Sequence, residues 1–360
     1  MRPRLVDFFC GAGGLSLGFR AAGFEPIFAA DWDQHACATY ALNLGEHVHR
    51  LDLATIEPET LADLVLSRAG EVDVVAGGPP CQGFSVQRRG KLLDARNDLA
   101  LRFSQFAVAL LPKAIVMENV PTILGPRGRD YINRISQEWD EHGYSVFRST
   151  LEAAAFGVPQ FRRRAFVVGI RRDQGSSFAF PTPQRSPANY ATVREALGDM
   201  PPPPADFTEH THFRNHRLVA VSKANLDRLR FVPEGGGRLD VPLELQLPCH
   251  RNSNGHRHLD VFGRLWWDRP SGTITAMFDN FTRGRFAHPL ENRNITGREG
   301  ARLQSFPDEF VFLGPKKDVA RQIGNAVAPL MARAVAEAVL ATLEKRRMET
   351  QDVRQRVLAL

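Results

Sequence analysis

Short apolar runs alternate with segments of helical period over the first 170 residues of this 360-residue chain. The apolar runs are bounded by glycine or polar turns and have the length of buried strands. This alternation predicts an α/β fold with a doubly wound, mainly parallel, Rossmann-like sheet. The predicted strands are LVDFFC, EPIFAAD, HVHRLDL, VDVVAGG, KAIVMENV and RAFVVGI, and the predicted helices are LSLGFRAAG, QHACATYALNL, PETLADLVLSRAG and NDLALRFSQFAVALL.

The pattern changes after Ile170, where prolines become frequent and clean helices become rare. Between residues 205 and 300 there are 14 Lys or Arg, 11 Asp or Glu and 7 of the 11 histidines, which indicates a basic, irregular, smaller domain. A helical pattern returns near residue 318. The expected organisation is a large domain over 1–180, a small domain over 181–307, a return to the large domain over 308–346, and a solvated tail over 347–360.

Charge and cysteine usage limit the class of protein. The formal net charge is +6, so an anionic partner is plausible. Four scattered cysteines argue against a disulfide framework and for a reducing, cytoplasmic compartment. No apolar run is expected to approach the roughly 20 residues that span a bilayer, so no membrane partner is predicted.

A glycine turn follows the first predicted strand, in DFFCGAGGLSLGF. Backbone amides at the start of a helix suit the polar end of a nucleoside-like ligand. Gly11 and Gly13 fit the dinucleotide fingerprint, whereas Ser16 stands where its third glycine belongs.

Acidic and aromatic residues then follow at successive strand ends. Asp31 lies 20 residues beyond Gly11, where a carboxylate can accept two ribose hydroxyls. Trp32 offers a flat face to a purine, and Asp52 can accept from an adenine amino group. These residues predict a site for a nucleoside-containing ligand, and at this point the ligand can be either NAD or S-adenosylmethionine.

Cys81 follows a strand that two glycines and two prolines end abruptly, in VVAGGPPC. Prolines fix the backbone before the thiol, as a nucleophile requires. Glu118 ends the next strand. Arg162 and Arg164, two apart on a predicted strand, are expected to point to one face. A thiol, a carboxyl and an arginine pair at one sheet edge suit attack on an electron-poor ring carbon.

The order of these motifs resembles that of the DNA (cytosine-5)-methyltransferases. The resemblance spans residues 6 to about 335 outside 181–262, and is carried by FFCGAGG, GGPPCQGFS, ENV, PQFRRR, REGARLQSFP and QIGNAVAP. It implies a large domain that binds S-adenosylmethionine and a small target-recognition domain, with double-stranded DNA between them. It also implies a restriction-modification context with a cognate restriction endonuclease.

The resemblance implies a role for each catalytic candidate. The Cys81 thiolate would add to carbon 6 of a flipped cytosine, which makes carbon 5 nucleophilic. A protonated Glu118, with a pKa raised by desolvation, would neutralise charge at nitrogen 3. Arg164, beside Arg162, would bind the exocyclic oxygen, and Asn119 would fix the ring and the loop.

The remaining implied contacts concern the cofactor and DNA. Asp31 stands where the family more often has glutamate, which shortens the reach but keeps the chemistry. The residues expected at the cofactor are Phe9, Gly11, Gly13, Gly14, Asp31, Trp32, Asp52, Leu53, Pro79, Leu99, Asn325 and Ala326. Those expected at DNA are Thr275 and, on a basic lid after Cys81, Gln82, Ser85, Arg88 and Arg89.

Other functions remain as alternatives. An RNA cytosine-5 methyltransferase has the same fold, although CQGFS favours DNA. A catalytically dead DNA-binding paralogue is disfavoured by intact Cys81, Glu118 and Arg164, and a nicotinamide oxidoreductase by Ser16. A metal site is not expected, because one cysteine among three histidines is not a paired ligand set for zinc; these residues are Cys249, His250, His256 and His258.

Overall fold

The computed structural model describes residues 2–80, 98–175, 177–251 and 259–358. The chain divides into two compact units. The first comprises Met1–Glu152, Arg163–Pro183 and Pro329–Leu360, and the second comprises Ala153–Arg162 and Gln184–Ala328. The second unit therefore includes 153–162 and 308–328, which were expected in the large domain, because these segments pack within it.

The first unit is built on a seven-stranded sheet of order β3-β2-β1-β4-β5-β7-β6. Five strands are parallel, and β7 runs antiparallel to both β5 and β6. The strands are β1 (Arg4–Phe8), β2 (Glu25–Asp31), β3 (Val48–Arg50), β4 (Val74–Gly77), β5 (Ala114–Asn119), β6 (Tyr144–Glu152) and β7 (Arg163–Arg171). The predicted α/β fold with a mainly parallel sheet is confirmed.

Helices connect these strands and cover the sheet. Each of the four predicted helices forms, and an unpredicted fifth precedes β6. They are α1 (Gly14–Ala21), α2 (Gln34–Leu44), α3 (Pro58–Ala69), α4 (Asp98–Ala109) and α5 (Arg129–Glu141). The central strands are mostly apolar because both of their faces are buried; β4 and β5 are buried at every residue, including the polar Glu118 and Asn119 at the end of β5.

The chain returns to the first unit in the long helix α11 (Pro329–Leu358), which continues through the expected tail. Contrary to expectation, the stretch Lys316–Arg346 is long and apolar enough to cross a membrane by length and composition alone. More than half (56%) of its most apolar 18-residue window is buried inside the protein. A Cβ at Gly18 of α1 would come within 2.5 Å of Ala332 Cβ. Close packing on α1 thus accounts for the small apolar residues of α11.

The second unit is irregular, and its helices are short. They are α6 (Val193–Leu197), α7 (Lys223–Leu229), α8 (Pro248–Arg251), α9 (Gly297–Leu303) and α10 (Lys316–Asn325). Buried arginines donate hydrogen bonds to backbone carbonyls that regular structure would otherwise satisfy. Arg264 reaches the carbonyls of Val232 at 2.7 Å and Leu229 at 3.0 Å. Arg264, Arg293 and Arg298, which were counted among the basic residues of 205–300, are buried and donate to backbone carbonyls, so they are structural.

Candidate active site

The carboxyl ends of the parallel strands lie at one edge of the sheet, and antiparallel β7 begins at that edge. Asn119, the last residue of β5, pairs with Ala165, the third residue of β7. The neighbouring Arg164 is thereby brought to Glu118, with 2.8 Å between Arg164 Nε and Glu118 Oε1. Glu118 is 8% exposed, so this ion pair is largely removed from solvent. The predicted meeting of a carboxyl and an arginine at the sheet edge is present.

The turn that leads to Cys81 packs against this carboxyl. Asn119 Nδ2 donates to the Pro79 carbonyl at 3.1 Å, and Asn119 Oδ1 accepts from Val120 N at 2.9 Å. A Cβ at Gly78 would lie 3.2 Å from Glu118 Oε2, so only glycine leaves the carboxyl this much room. Asn119 therefore holds the backbone at Pro79, two residues before the cysteine. Cys81 itself, with residues 82–97, lies outside the described residues.

Arg162 does not lie on the strand that holds Arg164, so the expectation that the two arginines share one strand is wrong. β7 begins only at Arg163, and Arg162 belongs to the second unit, where it is 1% exposed. Its guanidinium donates to the carbonyls of Ile274, Gly324 and Ala326 at 2.9–3.0 Å. Main-chain acceptors thus occupy the fork that was expected to face a substrate.

The glycine turn after β1 has a strained backbone. Phe9, Gly11 and Gly13 have φ angles of 57°, 52° and 96°. A left-handed conformation at the non-glycine Phe9 costs about 1–3 kcal/mol and is typical of ligand-binding turns. A Cβ at Gly11 would meet nothing within 4 Å, whereas one at Gly13 would overlap Leu44 on α2. Gly11 therefore presents open backbone at the start of α1, which begins at Gly14.

Asp31 ends β2 beside this turn. Its Oδ2 accepts from Gly11 N and its Oδ1 from Asp33 N, each at 2.9 Å. Burial raises the pKa of this carboxyl. Each oxygen keeps a further acceptor position for a ligand hydroxyl. Trp32 next to it is 66% exposed, which leaves its ring face open for stacking.

Other predicted cofactor residues lie at the same edge or in the second unit. Asp52 is exposed, Leu53 and Pro79 are buried, and Leu99 is half-buried in the first turn of α4. Asn325, which is exposed, ends α10 and is followed by half-buried Ala326, and both lie in the second unit.

Among the predicted DNA contacts, Thr275 is exposed in the second unit. The other four lie outside the described residues: Gln82, Ser85, Arg88 and Arg89. The structure also does not describe the side chains of the four residues considered as zinc ligands, Cys249, His250, His256 and His258.

A buried polar chain beneath the glycine turn escaped the sequence analysis. Ser16 Oγ donates to Asp7 Oδ2 at 2.6 Å, and Tyr40 Oη donates to Ser16 Oγ at 2.9 Å. Tyr40 Oη also lies 3.1 Å from His47 Nε2. Among the described residues Asp7 Oδ1 has no hydrogen-bond partner. Ser16 thus has its own role, which explains why the dinucleotide fingerprint lacks its third glycine.

Replacing Asp7 with asparagine is expected to stabilise the protein at neutral and alkaline pH. Burial raises the pKa of Asp7 to about 7. Between about pH 4 and 7 the folded chain keeps a proton that the unfolded chain has released, so wild-type stability falls as pH rises through this window. Asp7→Asn removes this loss, which amounts to ~2–4 kcal/mol above pH 7.

Urea unfolding at pH 4.5 and pH 8 measures this difference. The gain of Asp7→Asn over wild type should be larger at pH 8. Asp63→Asn, on the exposed side of α3, provides a control that should change little at either pH. An equal effect of Asp7→Asn at both pH values would contradict a buried, proton-holding carboxyl.

Comparisons with known proteins identify the family. The sequence profile of the C-5 cytosine-specific DNA methylases matches residues 3–341. Type II methyltransferase M1.HphI of Haemophilus parahaemolyticus is 39% identical over 339 residues, covering 93% of this chain and 86% of the relative. Type II methyltransferase M.NgoFVII of Neisseria gonorrhoeae is 34% identical over 348 residues, with 94% and 87% covered.

Solved structures agree on the fold. A protein encoded within a prophage of E. coli superposes with a TM-score of 0.71 at 26% identity, covering 95% of this chain and 99% of that one. The S. pombe Dnmt2 methyltransferase gives a TM-score of 0.60 at 18% identity, with 96% and 99% covered. The resemblance drawn from the motifs is confirmed: the chain belongs to the C-5 cytosine-specific DNA methylase family.

Proposed function

We propose that this protein transfers a methyl group from S-adenosylmethionine to carbon 5 of a cytosine flipped out of a specific sequence in double-stranded DNA. Cys81 is the nucleophile in this proposal. The observation that carries it is the buried Glu118 carboxyl, 2.8 Å from Arg164 Nε. Gly78 and Pro79, on the turn that leads to Cys81, pack against that carboxyl and its neighbour Asn119.

The cysteine makes an unreactive carbon reactive. The Cys81 thiolate forms a bond to carbon 6 of cytosine, and the electrons of the 5,6 double bond move toward carbon 5 and nitrogen 3. Glu118 places a proton on nitrogen 3, which leaves an enamine with a nucleophilic carbon 5. Carbon 5 takes the electrophilic methyl group that S-adenosylmethionine supplies when bound, and S-adenosylhomocysteine leaves. Loss of the carbon 5 proton to a base then re-forms the 5,6 double bond and expels the Cys81 thiolate, and nitrogen 3 returns its proton to the Glu118 carboxylate.

Arg164 has two tasks in this proposal. Its Nε holds the Glu118 carboxyl, and its Nη1 donates to the Arg163 carbonyl at 2.8 Å. A guanidinium carries five N–H donors in a planar fork, so it can hold Glu118 and reach an exocyclic oxygen.

The residues at the glycine turn fit a nucleoside cofactor. Gly11 leaves open space, Asp31 retains acceptor capacity for ribose hydroxyls, and Trp32 offers an exposed ring. The first unit supplies the other residues of the proposed cofactor site, which are Phe9, Gly13, Gly14, Asp52, Leu53, Pro79 and Leu99. Asn325 and Ala326 of the second unit remain predicted cofactor contacts.

Replacing Asp31 with alanine should weaken S-adenosylmethionine binding and leave DNA binding without cofactor nearly unchanged. Loss of charge-assisted hydrogen bonds to the ribose should cost about 1.5–3 kcal/mol. Titration calorimetry measures this cost, and exposed Asp63→Ala provides the control. Unchanged cofactor affinity in a folded Asp31→Ala variant would place the ribose elsewhere.

The second unit is proposed to select the DNA sequence, with Thr275 at a phosphate near the target base. Base-edge contacts carry sequence information, whereas phosphate contacts position the protein. Replacing residues 181–290 with the matching region of a relative should therefore change the methylated sequence but not the methylated base. Bisulfite sequencing reads both. A folded, active chimera with the original target would overturn this assignment.

The experiment that tests the function is methylation by the purified protein of plasmid DNA and of a matched RNA, each with S-adenosylmethionine. We expect 5-methylcytosine at one recurrent DNA sequence. Methylation of RNA alone would favour the RNA methyltransferase alternative, and specific DNA binding without methylation would favour a dead paralogue. The names of the relatives support a functional partnership with a cognate restriction endonuclease. Protection of the methylated DNA from a nuclease of matching specificity would test this partnership.

A further inference from the structure

Three buried polar side chains inside the second unit form a cluster and are linked to one another directly or through the backbone groups that they share. Gln160, Arg162 and Gln304 are each at most 1% exposed. Gln160 Nε2 donates to Gln304 Oε1 at 3.0 Å and to the Leu303 carbonyl at 3.1 Å. The cluster joins residues that are more than 140 positions apart in sequence.

One side of the cluster holds the peptide before Thr275. Ile274 N donates to Gln160 Oε1 at 2.8 Å, and the Ile274 carbonyl accepts from Arg162 Nη1 at 3.0 Å. Both polar groups of this residue are therefore fixed by buried side chains. The conformation of exposed Thr275 depends directly on this support.

The other side holds the end of α10. Arg162 Nη2 donates to the carbonyls of Gly324 and Ala326, each at 2.9 Å, and Gln304 Nε2 donates to that of Ile323 at 2.7 Å. The last carbonyls of a helix have no partner within it and carry partial negative charge. A guanidinium suits this end because it is positive and donates to several acceptors at once.

The two supported segments also touch. A Cβ at Gly324 would overlap the Thr275 peptide, so the backbones approach as closely as glycine allows. The planar guanidinium bridges this junction, with Nη1 on one segment and Nη2 on the other. Lysine carries its three N–H donors on one nitrogen, so it cannot span the two segments as the guanidinium fork does.

We propose that Arg162 is a positioning residue that holds the DNA-contacting segment at Thr275 and the cofactor-contacting segment at Asn325–Ala326 in one fixed arrangement. The proposal rests on the functions assigned to Thr275, Asn325 and Ala326 above. It gives Arg162 a role in the binding of both ligands without contact with either. A change confined to this buried side chain should therefore weaken two binding events together.

The test compares Arg162→Lys with Arg298→Lys. Arg298 is a matched control, because it is fully buried in the same unit and donates to three backbone carbonyls, those of Arg214, Pro307 and Phe310. Affinities for S-adenosylhomocysteine and for target DNA are measured separately by calorimetry and fluorescence anisotropy. Arg162→Lys should weaken each roughly tenfold or more, as expected for loss of charge-assisted hydrogen bonds. Arg298→Lys, with a similar decrease in Tm, should leave both nearly unchanged.

A second variant keeps the proposal testable if Arg162→Lys does not fold. Gly324→Ala leaves every side chain of the cluster intact but forces the Thr275 peptide away. It should weaken DNA binding measured without cofactor, although Gly324 directly precedes the cofactor-contacting segment and lies outside the DNA-contacting one. Unchanged affinities in folded Arg162→Lys, a change in one affinity only, or equal losses in Arg298→Lys would overturn the proposal. Failure of the wild-type protein to bind either ligand would instead overturn the proposed function, and this inference with it.

Discussion

Glu118→Gln is expected to methylate DNA about 10²- to 10⁴-fold more slowly than wild type, the range over which general acid catalysis contributes. Glutamine can donate a hydrogen bond to nitrogen 3 but cannot give it a proton. The amide also matches the volume of the carboxyl, so the packing of Gly78 against it should persist. Cofactor and DNA affinities should therefore change much less than the rate.

Single-turnover kinetics separate this effect from product release. Glu138→Gln provides the control. Glu138 is half-buried on α5, away from the carboxyl edge of the sheet, so this variant loses a carboxylate without a change in the proposed site. Its rate should match that of wild type. A Glu118→Gln rate within threefold of wild type would show that Glu118 does not supply the proton.

Cys81→Ala should have no detectable methylation activity but should fold and bind its target DNA. Without the thiolate, carbon 5 of cytosine is too weak a nucleophile to take a methyl group. Matched variants of the other thiols, Cys10→Ala and Cys37→Ala, should remain active. Burial raises the pKa of Cys37 to about 12 and that of Cys10 well above its ordinary value, so neither thiol is a ready nucleophile. Methylation by Cys81→Ala at even a tenth of the wild-type rate would exclude covalent catalysis through this residue.

The five parallel strands, β1 to β5, could be predicted from the sequence because strands that are buried on both faces are mostly apolar. The edge strand β6 could not, since YSVFRSTLE is half-buried along most of its length and gives a weak pattern. Helix α5 is mostly polar, but its buried Ile132, Ile135 and Trp139 follow helical spacing and offered a usable signal.

The site was predictable where chemistry follows a strand end, as at Asp31 and Glu118. The pairing of Glu118 with Arg164 depends on antiparallel β7, whose direction no local pattern reveals. The burial of Arg162 depends on acceptors at Ile274 and Gly324, which lie far along the chain. The second unit also ends later than expected, at Ala328 rather than at residue 307. The helical period of the sequence predicts α10 itself, but it does not show against which unit α10 packs.

The central claim, a covalent bond from Cys81 to carbon 6 of cytosine in DNA, is tested most directly with 5-fluorocytosine at the target position. Release of the enzyme requires the carbon 5 substituent to leave as a cation, which hydrogen can do and fluorine cannot. With S-adenosylmethionine present, we predict that the DNA is methylated once and remains bonded to the protein through denaturation. The adduct should be absent with Cys81→Ala and retained with Cys10→Ala, Cys37→Ala and Cys249→Ala. Trapping on a matched fluorinated RNA alone, or on neither nucleic acid despite bound cofactor and the correct target, would contradict the claim.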